Sequence, residues 1–293
     1  CRHPLLAPLP AAATPVVPAR DVFPLHVHEA HRVRSAVAAT GVSFLLQQEQ
    51  RGTGHALIVA RDALASYDLI IVLSGDAPLI ASRTIEQLRD FHLSKKAAMT
   101  LLTAHLENPS GYGRIVRKKA GQPEVKAIVE QKNLTPAQQK IHEINAGFYA
   151  FDAQALFSRI DNLGSDNHHG EFYLTDMAAI LTKARQRVVA VQAQDAHEVL
   201  GGNTRADLSD IDQHMRLAKC RQLMDQGVTI LFPESCVIDN DVVVGADIVI
   251  EPSVVRRRPP RPGRRAPLHS FRLVPTRRAR RRRAIHPGRV AAP

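Results

Sequence analysis

Three groups of residues have the types and spacing for chemistry on a phosphorylated ligand. Asp76 follows the apolar run Leu69-Ile70-Ile71-Val72-Leu73 through Ser74-Gly75. A carboxylate at the end of such a strand is a hard oxygen ligand for a divalent cation that bridges phosphates. The plainer alternative is an Asp that caps the turn Asp76-Ala77-Pro78. In Gln47-Gln48-Glu49-Gln50-Arg51-Gly52-Thr53-Gly54-His55, two glycines flank a helix-capping Thr53. They let the backbone approach a ligand closely, and a Gln amide can both donate to and accept from a base edge. The same segment also reads as an ordinary glycine-rich helix entry. Finally, polar residues recur at strand ends in Gly111-Tyr112-Gly113-Arg114, Ile128-Val129-Glu130-Gln131-Lys132 and Ile144-Asn145-Ala146-Gly147. Gly113 can offer a backbone amide, while Glu130 and Asn145 can grip sugar hydroxyls. Each alone is also what a loop contains. His26, His28 and His31 have no Cys or carboxylate at ligand spacing and do not make a metal site.

The elements that must position these residues alternate. A helix is expected from Thr53 to about Ala65, a buried strand over 69–73, a helix over 83–91 and a strand over 99–103. Short strands at 114–116 and 126–129 flank a turn at Gly121, and Thr135-Pro136-Ala137-Gln138 is a capping box. A strand over 144–151, helices over 153–160 and 175–184, a strand over 188–192 and a long helix over 209–226 closed by Gly227 complete the series. This alternation predicts an α/β domain with a mostly parallel, Rossmann-like sheet covered on both faces. Ligands in such sheets gather at the carboxyl ends of strands, where Asp76 should sit. From Val237 the period changes. Val237, Val243, Val249 and Val255 recur every six residues, the mark of a parallel β-helix. About three rungs are present before the pattern stops at Arg256.

Composition narrows the function classes. The net charge of +11 is misleading, because residues 256–293 hold 14 Arg and no acidic residue, leaving 11 − 14 = −3 for residues 1–255. Aromatics are scarce and Trp is absent, which argues against stacking platforms for single-stranded nucleic acid. Three cysteines without metal spacing suit a reduced, cytoplasmic setting, and no run approaches the length of a membrane span. Residue 1 is Cys, not Met, and the chain is expected to be a piece of a longer one. The expected segments are a Pro- and His-containing head at 1–32, a nucleotide-handling domain at 33–227, a hexapeptide segment at 228–255 and an Arg/Pro-rich tail at 256–293.

Taken together, these motifs resemble the bacterial bifunctional N-acetylglucosamine-1-phosphate uridylyltransferase/glucosamine-1-phosphate acetyltransferase family. Ser74-Gly75-Asp76-Ala77-Pro78-Leu79, Gly111-Tyr112-Gly113-Arg114-Ile115, Glu143-Ile144-Asn145-Ala146-Gly147, Gly170-Glu171-Phe172-Tyr173-Leu174-Thr175-Asp176 and Gly201-Gly202-Asn203 stand in family order from about Val33 to Val255. The resemblance implies that Gln47, Gly52 and Thr53 hold the uracil end of UTP, with Ser74 and Gly75 in the same pocket. It implies that Asp76 and Asn203 bind Mg²⁺, and that Gly113, Glu130 and Asn145 hold N-acetylglucosamine 1-phosphate. The hexapeptides would then begin a left-handed β-helix, through which that family forms homotrimers.

Two departures qualify the expectation. Residues 1–32 contain neither Gly nor Lys, so the glycine-rich loop and lysine that cradle the triphosphate in that family have no counterpart there. Ala146 and Thr204 also replace the family's usual Thr and second Asn. The head and tail have the Arg-, Pro- and Ala-rich composition of out-of-frame GC-rich coding sequence; a basic arm that binds nucleic acid is the alternative for the tail. The readings carried forward are uridylyl transfer impaired by the missing loop, sugar-nucleotide synthesis with other substrates, an inactive fragment, and nucleic-acid binding.

Overall fold

The computed structural model describes residues 8–26, 41–165, 170–202, 204–240 and 242–256. Asn203, His28, His31 and all of the Arg-rich tail beyond Arg256 lie outside the described residues. The chain divides into two compact units between Asp207 and Leu208.

In the first unit, helix α1 (Pro8–Ala13) precedes strands β1 (Leu25–His26) and β2 (Leu45–Leu46), which pair in parallel. Then come α2 (Thr53–Leu64), β3 (Leu69–Val72), α3 (Ser82–Lys95), β4 (Met99–His105), β5 (Arg114–Arg117), β6 (Val125–Val129), α4 (Pro136–Gln139), β7 (Glu143–Asp152), α5 (Ala153–Phe157), α6 (Met177–Lys183) and β8 (Val188–Gln192). The capping box at Thr135 forms as its sequence requires, with Thr135 and Gln138 bonding each other's backbone amides. Gly121 takes the turn between β5 and β6 with φ +75°.

The central six-stranded sheet runs β6-β5-β7-β4-β8, with β3 beside β7. β4 and β8 are parallel, whereas β7 is antiparallel to β3, β4 and β5, and β5 is antiparallel to β6. The expected mostly parallel sheet is therefore a mixed one. The reason lies between β4 and β7: a parallel return needs a crossover of a dozen or more residues, usually helical. This stretch holds a hairpin, a three-residue 3-10 turn at Gln131–Asn133 and the four-residue α4.

β4 is the central strand. Met99 and Leu101 face α2, α5 and α6, in a cluster with Leu57, Leu156, Met177 and Phe151. Leu102 and Ala104 face the other side, with Ile85, Leu88, Phe148 and Leu9 of α1. Alternation of Cβ direction sends successive residues to opposite faces, so a strand covered on both sides reads as a continuous apolar run. The run at β3 looks alike in sequence, yet only Ile70 is buried. Among the described residues β3 pairs with β7 alone.

Helix α3 has no side-chain cap of its own, since its N-cap is Ala81. Glu198 provides one from a distance. Its carboxylate accepts from the Ala81 amide at 3.3 Å, from Arg83 at 2.6 Å and from the Thr84 hydroxyl. A buried acid at a helix N-terminus satisfies donors that the helix cannot.

The second unit contains most of α7 (Arg205–Asp225), then β9 (Thr229–Ile230), β10 (Val237–Ile238), β11 (Val249–Ile250) and β12 (Val255–Arg256). β10 pairs in parallel with β12, Val237 opposite Val255, and β9 with β11. The six-residue period is present, and the structure sets which residues face inward. Val243 is 93% exposed and lies outside any strand. The inward ladders are Cys236, Val242, Ile248, Val254 and Ile238, Val244, Ile250. A one-residue shift moves a strand's side chains to the opposite face.

Two results should follow in urea denaturation. Glu198→Ala should cost about 2 kcal/mol, because buried donors lose their acceptor, while Arg83→Ala, at an exposed partner, should cost less than about 1 kcal/mol. Equal effects would contradict the capping role. Ile250→Ser should destabilise the second unit by about 3 kcal/mol, whereas Val243→Ser should stay within about 0.5 kcal/mol; the reverse order would contradict the observed phase.

Candidate functional site

The site begins as a gap on one side of β7. Residues 149–152 of β7 pair with β3, and Ile144 pairs with Arg114 of β5. β3 and β5 thus lie end to end along β7, running in the same direction. β3 ends where residues 145–148 of β7 pass, and β5 begins beyond them. Opposite this gap β7 is irregular. Leu101 pairs with Tyr149 and Thr103 with Asn145, so β7 advances four residues while β4 advances two. Gly147 sits in the irregular stretch at φ +78°, a conformation that a side chain resists.

Asp76 enters the gap from the carboxyl end of β3, as expected for an open sheet. Its Oδ1 accepts from the Ser74 hydroxyl at 2.5 Å. A Cβ at Gly147 would stand 3.3 Å from that same hydroxyl, so the glycine allows Ser74 its place. From the far side of the sequence, Gly202 donates its amide to the Asp76 carbonyl at 3.0 Å. Thr204 and Asp207 bond each other's backbone amides at 3.1 and 2.7 Å, a capping-box pattern at the start of α7. Thr204, a departure from the family's residue, therefore serves the helix.

The other side of the gap holds the expected sugar group. Asn145 donates its backbone amide to the Gly113 carbonyl at 2.8 Å. Its Nδ2 donates to the Tyr149 hydroxyl at 2.8 Å, and its Oδ1 accepts from the Gly147 amide at 3.3 Å. A Cβ at Gly113 would lie 3.4 Å from both carboxylate oxygens of Glu130. Desolvation pushes the Glu130 carboxyl above its ordinary pKa; the Thr175 hydroxyl opposes this and the Asp176 charge adds to it. Burial likewise raises the Tyr149 phenol.

The glycine-rich segment docks against residues 172–174. Gly54 donates its amide to the Phe172 carbonyl, and Phe172 donates to the Arg51 carbonyl, both at 2.8 Å. Gly52, at φ +94°, is the N-cap of α2, and a Cβ there would meet the Phe172 carbonyl at 2.7 Å. Thr53 does not cap the helix as expected. Its hydroxyl accepts from the Leu174 amide at 3.1 Å instead. Gln47 is buried, its Nε2 2.9 Å from His55 Nδ1 and 3.5 Å from the Gly52 carbonyl.

The structure thus brings Ser74, Gly75, Asp76, Gly113, Glu130 and Asn145 to one gap. Gln47, Gly52 and Thr53 approach it indirectly, through the 172–175 segment, where Thr53 accepts from the Leu174 amide and the neighbouring Thr175 hydroxyl favours the Glu130 carboxylate. Sequence reading missed Gly147 and Tyr149, which clear room for Ser74 and bond Asn145. A glycine two residues after Asn145, inside an expected strand, was the available signal for the first; Tyr149 lay within the same apolar strand and carried none. Among the described residues, no group of three or more His, Cys, Asp or Glu forms a metal cage. One oriented carboxylate does fit Mg²⁺, which usually takes one or two carboxylates, with water and substrate phosphates as its other ligands. A cavity of about 680 Å³ opens at the other end of the sheet, lined by His92, Lys96, Asp152 and Arg159 among others. Several of its polar groups bond within the protein: His92 to Thr100, Asp152 to the Ala155 amide, Arg159 to Ser158. No helix among the described residues is long and apolar enough to cross a membrane.

The chain is 56% identical over 252 residues to "Bifunctional protein GlmU" of Koribacter versatilis, which covers 86% of this chain and 54% of that protein. It is 42% identical over 228 residues to the protein of the same name from Pelobacter propionicus, covering 77% and 49%. The chain therefore spans about half the length of these curated relatives. A solved CMP:2-keto-3-deoxy-manno-octonic acid synthetase complexed with CTP shares the fold, with a TM-score of 0.53 at 18% identity over 76% of this chain and 88% of that one. The family model described as "Nucleotidyl transferase" matches residues 22–218, beginning inside the head just before β1. The chain belongs to the nucleotidyl transferase family.

Proposed function

We propose that this chain transfers a uridylyl group from UTP to N-acetylglucosamine 1-phosphate, giving UDP-N-acetylglucosamine and pyrophosphate. The observation that carries the reading is the meeting of Gly113, Glu130 and Asn145 with Ser74 and Asp76 across a single gap. The 56% identity to a bifunctional GlmU protein supports it. In this reading Asn145 and the Glu130 carboxylate take sugar hydroxyls, and Gly113 offers its backbone. Asp76, held by Ser74, and Asn203 bind Mg²⁺, and Gln47, Gly52, Thr53 and Gly75 receive the nucleotide. The sugar-phosphate oxygen attacks the α-phosphorus in line and pyrophosphate leaves, without a covalent enzyme intermediate. The residues act by positioning. Mg²⁺, when bound, spreads the charge that develops on the phosphates.

We further infer that residues 228–255 begin a left-handed β-helix behind a nucleotidyltransferase domain over 33–227. Val237 pairs with Val255 across eighteen residues, three six-residue repeats making one coil.

Pyrophosphate release measured with purified chain tests the reading. It should require Mg²⁺, prefer UTP over dTTP, CTP and GTP, and fall about 10²-fold or more in Asp76→Ala, the scale of losing one preorganised electrostatic contact. Equal rates with all four nucleotides, or an unaffected Asp76→Ala, would overturn it. Glu130→Gln gives a second test. A carboxyl whose pKa is raised by folding lends stability below its unfolded pKa and loses it as pH rises through the folded value. The variant should therefore be more stable than the parent at pH 7, with the gain disappearing in acid, yet bind UDP-N-acetylglucosamine more weakly. A variant that is less stable at neutral pH would contradict the placement of that carboxylate.

A further inference from the structure

Arg114 is a buried cation that takes no part in the reaction proposed above. It opens β5 beside Gly113, its main chain paired with Ile144 of β7 on one side and Val129 of β6 on the other. Only 2% of it is exposed. Among the described residues its guanidinium pairs with no carboxylate, and its Nε is buried without a partner. An unpaired buried charge costs stability, so core packing does not account for an Arg here. Its polar contact runs to the site instead: Nη1 donates to the Tyr112 carbonyl. That carbonyl belongs to the same peptide unit as the Gly113 amide. The described chain has no cis peptide bonds, and in a trans peptide the C=O and N–H point in opposite directions. The grip on the carbonyl therefore turns the amide away from the guanidinium. On its other side Gly113 is held by the Asn145 amide, which donates to its carbonyl at 2.8 Å. The Gly113 amide itself donates to no group among the described residues.

We propose that Arg114 is a positioning residue for the sugar-phosphate side of the gap: by holding the Tyr112 carbonyl it orients and polarises the Gly113 amide as a donor to an oxygen of the bound sugar phosphate. The proposal rests on the nucleotidyl-transfer reading for the identity of the ligand, though not for the contact between Arg114 and the peptide. A hydrogen bond from a charged donor is stronger than a neutral one, and bonds in a chain polarise one another at low dielectric. Guanidinium, carbonyl, amide and ligand oxygen form such a chain. The positive charge thus reaches the ligand through the peptide while the cation itself stays buried. Arg keeps its proton in such a place, whereas a buried Lys readily shifts its pKa, which accounts for the choice of residue.

Arg114→Met keeps the apolar stem and removes the donor. Titration calorimetry of the full chain in Mg²⁺ buffer should show its affinity for UDP-N-acetylglucosamine falling about tenfold, the low end for a hydrogen bond from a charged group. Its affinity for UTP, which lacks the sugar, should not move. Arg114→Lys keeps a cation near the carbonyl and should lose only about threefold for UDP-N-acetylglucosamine; it carries the test alone if the Met variant does not fold. Without ligand, the Gly113 amide resonance should shift in either variant while those of β4 hold still. Unchanged UDP-N-acetylglucosamine affinity, or a loss shared equally by UTP, would overturn the positioning role. An unmoved Gly113 resonance would overturn the contact with the peptide. A parent chain that binds neither ligand would instead defeat the nucleotidyl-transfer reading, with the Gly113 resonance still deciding the contact.

Discussion

The irregular stretch of β7 is the constraint on which the site depends. Two extra residues between the pairs Leu101–Tyr149 and Thr103–Asn145 interrupt the ladder just where β3 gives way to β5. Bulges of this kind bend a strand and re-aim its side chains, and they concentrate near active sites. Here the effect is specific. Gly147 takes a left-handed conformation and clears room for Ser74, while Asn145 spans the irregularity to bond Tyr149. A regular β7 would lose the left-handed Gly147 that clears room for Ser74, and with it the place Ser74 holds beside Asp76.

The surrounding structure holds that irregularity in place. β7 is flanked by β4, whose run from Met99 to Ala104 is buried throughout, and the fully buried Phe148 and Phe151 anchor it to opposite faces of the sheet. Each such side chain contributes roughly 2–3 kcal/mol by burial, ample to hold one strained glycine. On the far side, residues 172–174 receive the Gly52–Gly54 segment through backbone bonds and the Thr53 hydroxyl. Loops supply the polar groups, and the sheet fixes the distances between them.

Much of this was legible in the sequence. The helices, most strands, the Thr135 capping box and the placement of Asp76 at the end of β3 followed from apolar period, turn residues and cap chemistry. What escaped had physical causes. Strand direction is not written in apolar runs, so β3 read as a buried parallel strand although only Ile70 is buried. The absence of a long helix between β4 and β7 was the available clue to antiparallel pairing. Thr53 precedes an apolar helix as a cap does, but its hydroxyl was claimed by Leu174, a partner 121 residues away. In the hexapeptide segment the period was visible and the phase was not, because valines and isoleucines occupy inward and outward positions alike. The motifs of the site were visible one by one. Their meeting in one gap depends on a bulge that no short motif encodes.

The most direct measurement is a crystal structure of the full chain with UDP-N-acetylglucosamine and Mg²⁺. The account predicts the sugar against Gly113, Glu130 and Asn145, and the pyrophosphate and cation beside Asp76, opposite residues 145–148 of β7. Ligand bound instead in the cavity lined by His92, Lys96 and Arg159 at the other end of the sheet would contradict it.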